Sequence, residues 1–414
     1  MLSPKSIFTT SLIAALVALG PLSTDMYLPA FPELVRVFSS DIDGIQGTLS
    51  AFLIGFALAQ LVYGPLSDRY GRKPVLLVGL ILFLLSSLAI TYAESIESLT
   101  LLRVLQALGG SAGPVLGRAM VRDIHGPRDS ARLLSYIGTA MALAPAVAPI
   151  IGGYMTVGLG WESIFLFLAA YALLGIVALI YQIPETIPEE RHRHLSFSTL
   201  RDNYSQLLRH PSWRWYTLAC SFVFGGLFSF LSGSAFVIID FLGYTEEQYG
   251  LFFALIVAGF MIGTLVAGKL ARRTGIDRLI GAGALVAATG GCIMALLAIL
   301  KINHVAAIII PHMIYMVGVG IVMPQAMAGA LAPFPRIAGT SSALLGFIQM
   351  TFAAAVGILV GHFHDGSPRS MALSIAAMGL LTLISFIFLK RANTLSSSEE
   401  EPTTDSLSTE GDAS

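Results

Sequence analysis

Two ionisable side chains, Asp25 and Arg103, stand inside otherwise apolar stretches of this 414-residue sequence. Holding a charge inside a bilayer costs at least ~2.5 kcal/mol, so intramembrane charges are kept for a use. A carboxylate there can take up and release a proton, and a cation beside it sets how readily it does so. The structural alternative is an ion pair between helices, or an aspartate that merely reaches the membrane surface. Asp25 lies about 5 residues from one end of its stretch, roughly 8 Å deep. Arg103 lies about 6 residues from the same side, roughly 9 Å deep. Their similar depths predict that the two sense each other. Gln106 follows Arg103 by one turn and shares its face, as a ligand group or an interhelical contact.

Other residues are candidates for lining a lipophilic cavity: Met26, Tyr27, Gln60, Phe228, His312 and Tyr315. Each has a plainer role open to it, facing lipid or packing against a neighbouring helix. Pro21, Pro29 and Pro32 surround Asp25, and each removes a backbone donor and loosens the helix beside it. Further on, Pro145, Pro149, Gly152 and Gly153 combine bends with small residues that let another helix approach closely. Ser135, Gly138, Ala144 and Ala148 extend that small-residue pattern.

The elements that must position these groups are membrane spans. The chain is 55% hydrophobic and 12% charged, against roughly 25% charged for a soluble domain. Twelve stretches are long and apolar enough to cross as helices. They lie near 7–30, 45–66, 74–93, 97–121, 133–157, 162–183, 215–240, 246–268, 278–300, 304–328, 338–362 and 370–389. With the N-terminus inside, twenty Lys and Arg residues fall on the cytoplasmic side and three, Arg36, Lys301 and Arg369, outside. That asymmetry predicts both termini in the cytoplasm. The first stretch lacks a cleavage site and reads as an uncleaved span. A net charge of -1 gives no reason to expect nucleic acid as a partner. Cys220 and Cys292 both fall in apolar stretches and suggest neither a metal site nor a disulfide.

The expected organisation is a six-helix bundle over 1–183, a cytoplasmic linker over 184–214, a second six-helix bundle over 215–390 and a disordered tail over 391–414. Part of 195–210 could form an amphipathic helix on the membrane surface. The halves echo each other. Gly64 and Gly71 recur 204 positions later as Gly268 and Gly275, and Gly110 and Pro114 recur 210 positions later as Gly320 and Pro324. The second offset carries Arg103 onto Met313, so the buried charge belongs to the first half alone.

Between the second and third spans runs Gly64-Pro-Leu-Ser-Asp68-Arg69-Tyr-Gly71-Arg72-Lys73. Its basic residues hold it on the cytoplasmic side, its glycines allow a tight turn and close approach, and Asp68 is placed to face a helix end-on. It resembles the loop motif G-x-x-x-D-R-x-G-R-[KR] of the major facilitator superfamily, with each defined position matched. Arg103 to Gly109 resembles the fourth-span R-x-x-Q-G motif of drug–proton antiporters, with Ala107 for its glycine. Pro149-x-x-Gly152-Gly153 resembles the end of their fifth-span motif, with Ala148 for a glycine. The stretch from Asp25 to Pro32 resembles the bicyclomycin/chloramphenicol-resistance group.

The resemblance implies an all-α, twelve-helix membrane protein of two pseudo-symmetric six-helix bundles in a bacterial inner membrane. It implies no enzyme, but an exporter of small lipophilic drugs in exchange for protons. Asp25 would carry the proton beside Arg103, and Asp68 would dock on the N-terminus of the eleventh span at Gly339 to Ser342 in one gate state. No phosphate-binding loop is present, so the proton gradient is the expected energy source, with no cofactor and no metal. The chain is expected to work as a monomer in the lipid bilayer. The other readings are a proton-coupled uptake symporter for a small metabolite and a membrane sensor or scaffold without transport.

Overall fold

The computed structural model describes residues 7–187 and 197–399, with side chains left undescribed at 7–8, 125–140, 142, 197, 272 and 394–399. Lys5, Arg191, Arg193 and the tail 400–414 lie outside the described residues, as do the side chains of Ser135, Gly138 and Arg272. In order, the elements are α1 (Ile7–Asp25), a 3₁₀ turn (Leu28–Ala30), α2 (Phe31–Val37), α3 (Ile42–Tyr70), α4 (Arg72–Ile90), α5 (Ile96–Gly110), α6 (Ala112–Leu159) and α7 (Glu162–Gln182). Then come α8 (Phe197–Arg209), α9 (Pro211–Ala235) running into a π-helical turn (Phe236–Phe241), α10 (Glu246–Thr274), α11 (Ile276–Ile299), α12 (Val305–Leu331), a 3₁₀ turn (Pro335–Ile337), α13 (Ala338–His362) and α14 (Arg369–Glu399).

Among the described residues eleven helices are long and apolar enough to cross a bilayer, and Leu143–Leu159 adds a shorter apolar helix. The stretch Ala112–Leu159 keeps helical backbone throughout, where the sequence predicted two spans separated near 122–132. It still makes two crossings. Gly117 packs on Ile13 of α1, whereas Gly152 packs on Met26 just beyond the end of α1. Those contacts are ~20 Å apart along α1, whereas a straight helix from Gly117 to Gly152 would extend ~52 Å. The chain therefore doubles back, and the protein has twelve crossings. The membrane-facing sides are apolar: Ile54, Leu58 and Val62 of α3 recur every fourth residue and stay exposed, as a lipid-facing stripe does.

The crossings form two pseudo-symmetric bundles. In the first, α1 packs on α6, and α4 on α5 and α7; in the second, α11 packs on α12 and α14. Two seams join them, α3 against α13 and α6 against α10. One end of the molecule is rich in arginine and lysine, here termed the basic face. The far face carries Glu33, Glu162, Asp240 and Glu246.

The halves are closed against each other at the far face. The rings of Phe31 and Phe236 are 5.8 Å apart, and His362 Nδ1 lies 3.9 Å from Asp43 Oδ2. Amphipathic α8 lies after the first bundle, within the region where the sequence allowed one, and packs on α9 and α13. Helix α14 runs on past Arg391 to Glu399.

Candidate functional site

The first span breaks at Asp25. Pro21 is accommodated inside α1, but Pro29 falls in the 3₁₀ turn and Pro32 in the first turn of α2. Neither proline can donate to the helix before it, so regular hydrogen bonding stops at the carboxylate. The span then resumes as α2. Asp25 is 4% exposed. Its Oδ1 accepts a 2.8 Å hydrogen bond from the Thr24 hydroxyl.

Arg103 is fully buried on α5. One Nη donates to Gln106 Oε1 at 2.5 Å and the other to the Ser23 carbonyl at 3.2 Å, whereas Nε has no partner. The guanidinium lies over the rings of Phe52 (4.3 Å), Tyr27 (4.6 Å) and Phe165 (5.8 Å). Aromatic faces are worth ~2 kcal/mol or more to a desolvated cation, which offsets part of its burial cost. Gln106 in turn donates to Ser87 Oγ at 2.8 Å, tying α5 to α4.

The sequence predicted that Asp25 and Arg103 would act as a carboxylate with its cation. Among the described residues no ion pair joins them. Arg103 holds the backbone two residues before Asp25, and the aromatic faces take the place of a counter-ion. The neighbour that depth alone did not reveal is Tyr249 of α10. Its hydroxyl shares a 2.9 Å hydrogen bond with Ser234 of α9. Tyr249 is fully buried, and the 3₁₀ turn after Asp25 packs on both α9 and α10. The turn that follows the acid therefore packs on the two helices of the other half that carry this hydroxyl pair.

Glycines set that approach. A Cβ on Gly152 would come within 2.1 Å of the Met26 carbonyl oxygen, and one on Gly153 within 2.5 Å of the Glu246 carbonyl oxygen. Gly250 also packs closely, where a Cβ would meet Ile150 Cα at 2.7 Å and the Pro149 carbonyl oxygen at 2.9 Å. Gly152 and Gly153 thus join α6 to the break in the first span and to α10, with Pro149 buried beside them and Pro145 half-buried one turn earlier.

The predicted cavity residues are mostly sealed. Met26, Tyr27, Gln106, His312 and Tyr315 are 0% exposed and Phe228 5%. In the arrangement seen here helix–helix packing takes them up. Tyr27 donates to Thr48 Oγ1 at 2.9 Å, since the Thr48 hydroxyl is spent on the Ile45 carbonyl. His312 stacks on Phe230 with centroids 4.0 Å apart, and Tyr315 donates to the Val223 carbonyl at 3.0 Å. Gln60 alone of the set is half-buried, with Oε1 against Gly346 of α13.

At the basic face, the expected loop over 64–73 is a single residue. Helix α3 continues through Tyr70 and α4 starts at Arg72, so only Gly71 turns, with φ +92°. That left-handed geometry needs glycine, and Gly275 repeats it with φ +79° in the second half. Gly64 lies within α3 with nothing close to it, so close approach is not its role.

Asp68 pairs with Arg72 at 2.8 Å, one helical turn away across the break. In the arrangement seen here, closed at the far face, Asp68 is not on α13: Gly339 faces open space, and Ser341 Oγ accepts from Trp213 Nε1 at 2.8 Å. Arg72 also bonds Ser67 Oγ and lies 3.2 Å from Asp123 Oδ2. Arg69 stacks over Tyr70 at 5.1 Å. Glu185, after α7, accepts from the backbone N–H groups of Arg72 and Lys73 at 3.0 Å each, capping α4. Lys73 Nζ donates to the Ile180 carbonyl at 3.0 Å. Sequence reasoning missed Asp123 and Glu185; their only signal was acidic character at a basic face.

The second half keeps the turn with a different network. Asp277 in the first turn of α11 accepts from the Tyr216 hydroxyl at 2.6 Å and from Asn393 Nδ2 at 2.8 Å.

The Major Facilitator Superfamily model matches residues 13–358. A bicyclomycin resistance protein homolog of Haemophilus influenzae is 30% identical over 376 residues, covering 91% of this chain and 94% of that protein. A chloramphenicol resistance protein of Pseudomonas aeruginosa is 30% identical over 358 residues, covering 85% and 83%. The crystal structure of a D-xylose-proton symporter superposes with a TM-score of 0.74 at 14% identity, covering 93% of this chain and 97% of that one, a likeness of fold.

Proposed function

The chain belongs to the Major Facilitator Superfamily, and on that premise we propose that it exports small lipophilic drugs in exchange for protons. It is a multi-pass membrane transporter and not an enzyme. The observation that carries the reading is the placement of Asp25: a nearly sealed carboxylate at the break of the first span, without a counter-cation, against the opposite half. The printed activities of the relatives, resistance to bicyclomycin and to chloramphenicol, support a drug as the cargo.

In this reading the basic face is cytoplasmic, both termini lie inside and the membrane is a bacterial inner membrane. The two bundles rock about a midplane site. Asp25 takes a proton from the far face and gives it up to the cytoplasm, and drug and proton compete for one cycle. Arg103 positions the end of α1 through the Ser23 carbonyl. When the basic face closes, Asp68 leaves Arg72 for the free backbone N–H groups at the start of α13. The proton gradient supplies the energy, no cofactor is needed and one chain suffices.

Everted vesicles under an imposed pH gradient test this directly with chloramphenicol as probe. The parent is expected to accumulate drug only with the gradient, and drug addition is expected to collapse part of that gradient. Asp25→Asn is expected to insert normally and to lose both effects. Accumulation driven equally well without a gradient, or gradient-driven exchange intact in Asp25→Asn, overturns the reading.

A further inference from the structure

From the groove between α3 and α8 we infer a binding seat for an anionic phospholipid of the leaflet at the basic face. The groove has a volume of about 660 Å³ and is lined by Leu61 of α3 with Leu200, Arg201, Tyr204, Ser205, Leu208 and Arg209 of α8. Helix α8 reads F-S-T-L-R-D-N-Y-S-Q-L-L-R. Leu200, Tyr204, Leu207 and Leu208 recur at helical spacing and make one apolar stripe. Leu207 is fully buried against the protein, whereas Leu208 remains 47% exposed in the groove. Arg201, Ser205 and Arg209 run parallel to that stripe, one turn apart each.

The chemistry of the lining selects the occupant. An apolar floor with a tyrosine and two guanidinium groups along one edge suits the top of an acyl chain beneath a phosphate. Among the described residues Arg201 pairs only with Asp202, at 3.4 Å, with both side chains exposed, and such a pair holds its partners weakly in water. Among the described residues Arg209 has no ion pair. Among the described residues no other carboxylate pairs with either arginine, so both can take a phosphate. The depth fits as well: Leu61 lies nine residues, ~14 Å, before the end of α3 at Tyr70, where an acyl chain beneath its phosphate would run.

The seat straddles the two bundles. Helix α8 packs on α9 and α13, and Leu61 belongs to α3 on the other side of the α3–α13 seam. A lipid held there touches both halves in the arrangement closed at the far face, and rocking of one half against the other reshapes its seat. The inference rests on the proposed orientation and not on the transport cycle, so lipid binding and drug export are read out separately.

The test uses the full-length protein in nanodiscs, with competition between phosphatidylglycerol and phosphatidylcholine for a fluorescent phosphatidylglycerol probe. Each arginine near an anionic lipid surface is expected to carry about fivefold in affinity, and the pair roughly 25-fold. The parent is expected to prefer phosphatidylglycerol, and Arg201→Gln with Arg209→Gln together to lose that preference. Arg214→Gln, a cation outside the groove, is expected to retain it. Leu61→Trp fills the floor, keeps both charges and is expected to weaken lipid binding as well. Undiminished preference in the double arginine variant overturns the proposal. So does displacement of the probe by millimolar inorganic phosphate alone, which would make the groove a simple anion site. Equal losses in Arg214→Gln would reduce the effect to general surface charge and also sink it.

Discussion

The Arg103 guanidinium donates to the backbone carbonyl of Ser23 at 3.2 Å, two residues before Asp25. The one fully buried arginine among the described residues of the first half is thus bonded to the polypeptide that carries the acid, and not to the acid. Three aromatic faces and the Gln106 amide complete its surroundings. Arg103→Met, which copies Met313 of the second half, leaves that carbonyl without its donor and unpins the end of α1. Transport is expected to fall at least tenfold, while the pH midpoint of drug binding changes little. Drug affinity titrated against pH in parent and variant checks this. A midpoint moved by roughly one unit would reinstate direct sensing between the two charges.

Arg103→Lys keeps the charge but loses the planar fork that reaches two acceptors on two elements. It is expected to bind drug at near-parental affinity yet transport several-fold more slowly. Full transport by the lysine variant would leave the Ser23 bond without a role.

Gly152 and Gly64 make a paired prediction. A Cβ at 152 meets the Met26 carbonyl at 2.1 Å, whereas one at 64 meets nothing. Gly152→Ala forces α6 away from the break in the first span, at a cost of typically 1–3 kcal/mol for such overpacking. Gly64→Ala replaces glycine in mid-helix and is expected to be neutral or to stabilise by ~0.5–1 kcal/mol. Thermal unfolding in detergent, beside drug efflux, ranks the two. The reverse order would mean that the seam between α6 and the first span is not as tight as its geometry.

Glu185 caps α4 with two charge-assisted bonds to the backbone around the Gly71 turn. Glu185→Gln keeps the shape and weakens both bonds, at a cost of about 1 kcal/mol. The helix start that carries Arg72 loosens, so drug efflux is expected to drop while drug affinity in detergent holds. Loss of affinity equal to the loss of efflux would move Glu185 out of the gate.

Tyr249→Phe removes the hydroxyl bonded to Ser234, on the two helices against which the turn after Asp25 packs. The side chain keeps its shape, so folding should be retained. The expected outcome is drug binding that persists while protons moved per drug decline, read by pH-electrode and radiolabel traces on the same vesicles. Ser234→Ala should reproduce part of the effect by freeing the same hydroxyl. An unchanged proton-to-drug ratio in both variants would assign the pair to packing.

The amino-acid sequence determined what depends on residue type, local order and transfer between water and lipid. Twelve apolar stretches had to cross, because backbone polarity in lipid is satisfied within a helix. Asp25 and Arg103 stood out because a charge is costly wherever an apolar span is placed. Gly71 was legible as a turn because a left-handed residue favours glycine in any surroundings.

Tertiary structure decided which groups meet. Nothing local to Arg103 says that Ser23, Tyr27 and Phe165 will surround it, and nothing at Gly71 announces Glu185, which lies more than a hundred residues away in the chain. Gly64 and Gly152 are the same residue type inside helices; only the helix packed opposite makes one replaceable and the other not. The pairing of Asp68 with Arg72, and not with α13, depends on which face of the two bundles is closed. These outcomes follow from how helices distant in sequence pack side by side. That packing is fixed by shape complementarity summed over whole surfaces, which no single stretch of sequence contains.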